Sequence, residues 1–272
     1  MMDGSMCKPG DANPPDSIWG VILAGGRGTR IRDLYPDIPK PMIPCLGTPF
    51  LGWVLRYLRA QGVSHNVVSL GHLAQVASRW LETNENTLST RVVVEHEPLG
   101  TGGGIRLAWE QVPDPRASIL ATNGDSLVLA DLAGAFEAMR RPEIDAVIVG
   151  VRVPDAARFG SLDLGDDALL KGFIEKRPGR GLINAGIYLL KARVRDDLGP
   201  SGSVQSMEKD VFPAMLARQR RIHVHPTDAP FIDIGTPESV TQAEAFLHAH
   251  ADAFTPAAAN AGVCPTPHGG QS

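Results

Sequence analysis

Gly25-Gly26-Arg27-Gly28-Thr29-Arg30 is a glycine loop ending in an arginine, and Lys40 follows ten residues later between Pro39 and Pro41. Glycines let backbone approach a ligand closely, and successive N–H groups form a concave anion site. The flanking prolines fix the backbone of Lys40 and aim its side chain. Two placed cations, Arg30 and Lys40, beside such a nest suit a polyphosphate. No lysine follows the glycines, so this is not a Walker A loop, and Ile31 stands where a dinucleotide fingerprint needs its third glycine. An ordinary strand-to-helix turn with surface cations is the other reading of these residues.

Asp125, in Thr122-Asn123-Gly124-Asp125-Ser126, and Asp233, in Phe231-Ile232-Asp233-Ile234-Gly235, each follow apolar residues and adjoin a glycine turn. Mg²⁺ takes one or two carboxylates plus phosphate oxygens and waters, which this pair offers only if the fold brings the two together. A turn or cap aspartate is the alternative for each. At the end of Phe173-Ile174-Glu175-Lys176, Lys176 is a point cation suited to a phosphate, and Glu175 with Asn184 suits vicinal hydroxyls. An exposed ion pair is the competing reading. His72, His96, His223 and His225 lack metal spacing, Cys45 lacks a triad, and Trp53 and Tyr57 read as core.

The elements that must position these groups alternate. Ile18 to Leu23 reads as a buried strand feeding the glycine loop, and 50–61 as a helix with Phe50, Leu51, Val54, Leu55 and Leu58 on one face. Strands are expected at 66–70, 91–95, 118–122 and 145–151, with helices at about 104–112 and after Asp131, which caps Leu132, Ala135, Phe136 and Met139. This order predicts an α/β fold with a mostly parallel mixed sheet and helices on both faces. Runs at 161–164, 169–175 and 183–190 with little helix between them predict a small antiparallel excursion. Ser206 is expected to cap a helix to about 219, with Glu208 and Asp210 at its positive end. A strand at 221–225 and a helix from Thr236-Pro237 to about 249 close the domain. The expected domain covers 17–250, between disordered tails at 1–16 and 251–272.

With 272 residues, 43% of them apolar and 21% charged, the chain can bury a sizeable core. A net charge of −4 argues against a nucleic-acid binder. No apolar run reaches membrane length, the polar N-terminus does not read as a signal peptide, and three scattered cysteines make neither a disulfide framework nor a zinc site. A cytoplasmic protein with no membrane partner is expected; a homo-oligomer is compatible.

The string Leu23-Ala24-Gly25-Gly26-Arg27-Gly28-Thr29-Arg30 … Pro39-Lys40-Pro41-Met42 resembles the signature of the sugar-1-phosphate nucleotidylyltransferases. The resemblance continues through Glu97-Pro98-Leu99-Gly100-Thr101-Gly102-Gly103, Asn123-Gly124-Asp125, Gly181 to Tyr188 and Phe231 to Pro237, about residues 18–248 in all. Within that superfamily the chain looks most like the D-glycero-α-D-manno-heptose 1-phosphate guanylyltransferases. The resemblance implies a Rossmann-like nucleotidyltransferase fold whose antiparallel excursion binds the sugar. It implies that Leu23, Ala24, Gly25, Gly26, Gly28, Thr29, Arg30, Lys40, Glu95, Pro98, Gly100, Thr101 and Gly124 bind nucleotide, and that Asp125 and Asp233 hold Mg²⁺. Gly160, Glu175, Lys176, Asn184 and Ala185 would hold the sugar phosphate, and Arg30, Lys40, Asp125 and Lys176 would serve catalysis.

In the family, a side chain three residues before the proline helps to read the base. Here it is Glu95, an acceptor-only carboxylate that matches the adjacent N1–H and N2–H₂ donors of guanine. A strand-end glutamate facing water is the alternative. The implied substrates are GTP and a sugar 1-phosphate. Mannose 1-phosphate, or uridylyl or thymidylyl transfer to another hexose 1-phosphate, is an alternative. More distant ones are an NAD-dependent oxidoreductase, using the 100–104 glycines with Asp125 about 20 residues on, and a non-catalytic sugar-nucleotide-binding subunit.

Overall fold

The computed structural model describes residues 18–26, 28–84, 87, 89–157, 160–165, 167–174 and 178–256. Glu175, Lys176, Arg27 and the expected N-terminal tail therefore lie outside the described residues, as does the C-terminal tail beyond 256.

The chain runs β1 (Ile18–Ala24), a 3-10 turn (Lys40–Met42), a short hairpin of β2 (Pro44–Cys45) and β3 (Thr48–Pro49), α1 (Phe50–Ala60), β4 (Asn66–Leu70), α2 (Ala74–Thr83), β5 (Thr90–Val94), α3 (Gly100–Trp109), β6 (Ser118–Asn123) and β7 (Ser126–Val128). It continues through α4 (Ala133–Arg140), β8 (Ala146–Val153), β9 (Ser161–Leu164), β10 (Leu170–Ile174), β11 (Gly181–Leu190), a 3-10 helix (Ala192–Leu198) and a π-helical turn (Met207–Val211). Last come α5 (Phe212–Ala217), β12 (Ile222–Thr227), β13 (Phe231–Asp233), α6 (Pro237–Ala249) and a 3-10 helix (Ala251–Phe254).

The main sheet is mixed. β6, β1, β4 and β5 are parallel neighbours, and β12 is parallel to β8. β11 joins the two groups, antiparallel to both β6 and β8, and β9 with β10 forms the expected antiparallel excursion beside its first half. Alternation along β1 explains the two faces. Ile18, Ile22 and Ala24 face one core with α1, α2, α4 and α6, while Val21 faces the other with α3 and α5. None of the described helices is long and apolar enough to cross a membrane.

Four local expectations change. The helix expected at 104–112 begins at Gly100, because Gly102 and Gly103 press against the backbone of Ser203 and Gln205, where a side chain would collide. The helix expected to run from Ser206 to 219 starts as a π turn and stops at Ala217, with Gln219 left-handed at φ +59°. Amphipathic α2 was not anticipated. Residues 251–254, expected in the C-terminal tail, form a 3-10 helix whose Phe254 meets the Trp53 ring edge-on at 5.0 Å.

Candidate active site

β1 ends at Ala24, and the glycine loop leaves the carboxyl edge of the parallel strands, where open α/β sheets bind ligands. A cavity of about 470 Å³ opens there. It is lined by Leu23, Ala24, Gly25, Gly26, Gly28, Thr29, Arg30, Lys40, Glu95, Pro98, Gly100 and Thr101, to which the resemblance assigns the nucleotide, and by Asp125 and Asp233, to which it assigns the metal. Ile31, Pro41, Asn123 and Gly235 complete the wall and were not singled out. Arg30 and Thr29 are exposed on the rim.

The two aspartates are 108 residues apart in the chain and adjacent in space. The device that joins them is a two-stranded antiparallel pair, β7 with β13, whose register sets Asp233 opposite Ser126. The Ile234 N–H then donates to the Asp125 carbonyl at 3.0 Å. Lys40 closes the group: its Nζ donates to Asp125 Oδ2 at 2.7 Å and lies 3.5 Å from Asp233 Oδ1. Lys40 is only 12% exposed at its side chain, whereas the carboxylates are 32% and 41% exposed and face the cavity. Read from the sequence as a phosphate cation, Lys40 instead bridges the carboxylates here. Two hard-oxygen ligands that already share one cation suit a small divalent ion that keeps waters and phosphate oxygens in its shell. Among the described residues no cluster of three or more potential ligands exists, so such an ion would draw the rest of its shell from substrate and water.

Glu95 leaves the end of β5. Its Oε1 accepts from the Ser69 hydroxyl at 2.7 Å and its Oε2 from the Leu99 N–H at 3.2 Å. Bare Gly25 and Gly104 make room for it, since a Cβ at either would fall within 2.9 Å of Oε1. The carboxylate is thus held at the cavity wall with a lone pair on each oxygen still to spare.

Gly124 does not line the cavity. Its N–H donates to the Leu23 carbonyl at 2.7 Å, and a side chain would crowd that carbonyl and Ala24, so it serves the packing of β6 on β1. The 100–104 glycines also differ from a phosphate nest. The N–H groups of Gly102 and Gly103 both donate to the Gln205 carbonyl, at 2.8 and 3.4 Å, which leaves neither for a dinucleotide.

Of the expected sugar-side residues, the described ones, Gly160, Asn184 and Ala185, gather at a break in β11. Its pairing with β8 jumps between Asn184 and Ile187, with Ala185 and Gly186 bulged out. Gly186 has φ +73°, and a side chain there would strike the Asn123 amide. Asn184 is turned by the bulge so that its Nδ2 donates to Glu208 Oε1 at 2.7 Å and to the Tyr188 hydroxyl at 2.8 Å. The Asn184 N–H donates to the Gly160 carbonyl at 3.2 Å. Ala185, by contrast, is buried in the core and offers only backbone. Sequence reasoning missed Glu208 as a site residue. It was read only as a helix-end charge, and its partner Asn184 lies on another element. Glu208 is also tied to the nucleotide side, because the preceding Met207 N–H donates to Thr101 Oγ1 at 2.9 Å.

The remaining candidates are structural. Cys45 is buried, which with nearby Glu244 pushes its thiol up to about 11. Tyr57 is buried and donates to the Ala130 carbonyl at 2.8 Å.

Residues 19–250 match the family described as Nucleotidyl transferase. The chain is 35% identical over 84% of its length to a mannose-1-phosphate guanylyltransferase of Mycobacterium tuberculosis, of which it spans 64%. It is 30% identical over 82% of its length to a D-glycero-alpha-D-manno-heptose 1-phosphate guanylyltransferase of Aneurinibacillus thermoaerophilus, of which it spans 96%. Its fold superposes with TM-score 0.71 on a crystal structure of HddC from Yersinia pseudotuberculosis complexed with GMP-PN, at 34% identity, covering 84% of this chain and 98% of that one. The cavity at the strand ends, its glycine loop and its paired carboxylates are thus those of a chain that belongs to the nucleotidyl transferase family.

Proposed function

We propose that the chain transfers GMP from GTP to D-glycero-α-D-manno-heptose 1-phosphate, giving the GDP-sugar and pyrophosphate. The observation that carries this reading is the cavity itself, in which a glycine loop, Arg30 and the Lys40-bridged Asp125 and Asp233 meet.

An oxygen of the acceptor phosphate attacks the α-phosphorus of GTP. The new P–O bond forms as the bond to the β-phosphate oxygen breaks, and pyrophosphate leaves in line. The nucleophile is already an anion at neutral pH, so the site needs no general base, and catalysis consists of charge neutralisation and orientation. Arg30 and the loop N–H groups hold the triphosphate. Asp125 and Asp233 hold a divalent ion, Mg²⁺, which when bound neutralises phosphoryl charge and orients the oxygens. Lys176 holds the acceptor phosphate, while Glu175, Asn184, Glu208 and the backbone at Gly160 and Ala185 receive sugar hydroxyls. Glu95 reads guanine, since a fixed carboxylate is left unpaired by a base lacking adjacent donors.

Mannose 1-phosphate is the second reading of the acceptor, supported by the higher identity to the mycobacterial relative. The heptose reading is preferred because the Glu97–Gly103 and Gly181–Leu190 segments resemble that group, and two heptose 1-phosphate guanylyltransferases, at 30% and 31% identity, are among the relatives. The test is a grid of GTP, ATP, UTP and dTTP against the heptose, mannose and glucose 1-phosphates, followed by pyrophosphate release. The highest kcat/KM is expected for GTP with the heptose. Equal or faster turnover with mannose transfers the assignment to that sugar, and no release from any pair refutes the enzymatic reading.

A further inference from the structure

Lys40 Nζ lies between the two carboxylates that the proposed function assigns to a metal. Its stem crosses the bare face of Gly28, on which a Cβ would come within 3.3 Å of the Lys40 Cβ. Its ammonium lies against Gly235, on which a Cβ would come within 3.1 Å of Nζ. The two glycines form a channel that delivers the ammonium between Asp125 Oδ2 and Asp233 Oδ1. The backbone of Lys40 is fixed by Pro39, Pro41 and the 3-10 turn, in which the Met42 N–H donates to the Pro39 carbonyl at 2.7 Å. Any movement of the charge is therefore rotation of the four-carbon stem, which in lysine is free and carries three donors. An ammonium and a divalent ion held by the same two carboxylates would repel each other at close range, so each weakens the hold of the other.

We propose that Lys40 is a built-in counter-ion for the Asp125–Asp233 pair. It fills the cation position while the site is free of ligand and leaves it when nucleotide phosphates offer another partner. This deepens the proposed function and rests on its assignment of the two carboxylates as metal ligands. Divalent ion alone binds weakly, because it must strip Lys40 from both carboxylates with no new partner in reach. Triphosphate supplies that partner, so metal and nucleotide bind as a linked pair, each raising the affinity for the other. The site is thereby kept from holding a bare metal without substrate.

The test is Mn²⁺ binding to the nucleotide-free protein, read by electron paramagnetic resonance, for the wild type, Lys40→Met and Lys40→Gln, with circular dichroism as the check of fold. Both variants are expected to bind one Mn²⁺ at least threefold more tightly than wild type, and adding Asp125→Asn to Lys40→Met is expected to abolish the gain. A gain below threefold, or one that survives Asp125→Asn, overturns the proposal. The wild-type chain gives an independent reading. Acylation of Lys40, followed by peptide mass spectrometry, is expected to accelerate when saturating Mn²⁺ is added without nucleotide; an unchanged rate overturns it too. If wild type releases pyrophosphate in the substrate grid and these titrations fail, only the counter-ion role falls. If the grid is silent, the proposed function falls instead.

Discussion

At the scale of single residues, Asp125 serves the phosphates and Glu95 the base in the proposed function. Asp125→Asn keeps the shape of the side chain and removes its charge. It is expected to lower kcat/KM for pyrophosphate release at saturating Mg²⁺ at least 100-fold, about 2.7 kcal/mol of transition-state stabilisation. Normal turnover in this variant removes the carboxylate from the mechanism. Glu95→Gln exchanges an acceptor for a group that also donates. It is expected to reduce the preference for GTP over ATP, as a ratio of kcat/KM, at least tenfold, about 1.4 kcal/mol. An unchanged ratio assigns base reading to the backbone of the loops. Asp125 stood out in the sequence by its type beside a glycine turn, and Glu95 only through the family resemblance. Glu208 did not, because what identifies it is a hydrogen bond to Asn184, 24 residues earlier on another element. Lys40 was visible as a placed cation, but its choice of partner was not, since that depends on where Asp125 and Asp233 meet in space.

At the scale of elements, the long apolar strands were readable and the short ones were not. β1, β6 and β8 announce themselves as buried runs. β7 and β13 have three residues each, too few to show a period, yet their pairing assembles the acidic centre. α2 carries Ala77 and Leu81 at helical spacing, but it starts after Leu73 in a left-handed conformation, φ +54°, with no polar cap to mark it. The glycines at the start of α3 misled in the other direction. They read as a loop, and tertiary contact with Gln205 makes them helix. That contact belongs to a strap, residues 203–208, running from the start of α3 to Asn184 on β11. Thr101→Val removes the hydroxyl that receives the Met207 N–H and loosens Glu208 beyond it. The expected result is a severalfold rise in KM for the sugar 1-phosphate with a smaller change in KM for GTP. Equal changes in both would detach the strap from acceptor binding.

At the scale of the molecule, the end of the sheet away from the cavity is held by charge. Asp197, 3% exposed at its side chain, accepts from Arg218 and from Arg220, the latter at 2.9 Å. Asp145 accepts from Arg193 at 2.7 Å and from the Arg221 N–H at 2.8 Å. The Arg218 side chain is 59% exposed and that of Arg220 31%, so water can solvate both once Asp197 is gone, and Asp197→Ala is expected to destabilise the fold by about 1 kcal/mol through the lost hydrogen bonds. Chemical denaturation measures this, and the KM values are expected not to move. Acid weakens the molecule through β12. Burial lowers His223, with Arg141 and His225 adding to the effect, and burial lowers His225 against a smaller opposing pull from Asp131. Both folded values lie below the ordinary 6.5, so beneath that pH the unfolded chain binds more protons and stability falls as pH drops. The melting temperature is expected to decline from pH 7 to pH 5.5, and more gently in His223→Gln/His225→Gln.

The pairing of β7 with β13 also sets a timetable for synthesis. Asp125 emerges from the ribosome more than a hundred residues before Asp233, and every parallel strand from β1 to β6 is out before the second carboxylate exists. A nascent chain stalled between β12 and Asp233 already holds every strand of the main sheet and only half of the acidic pair. The acidic pair is thus completed late, only when β13 follows β12 out of the ribosome.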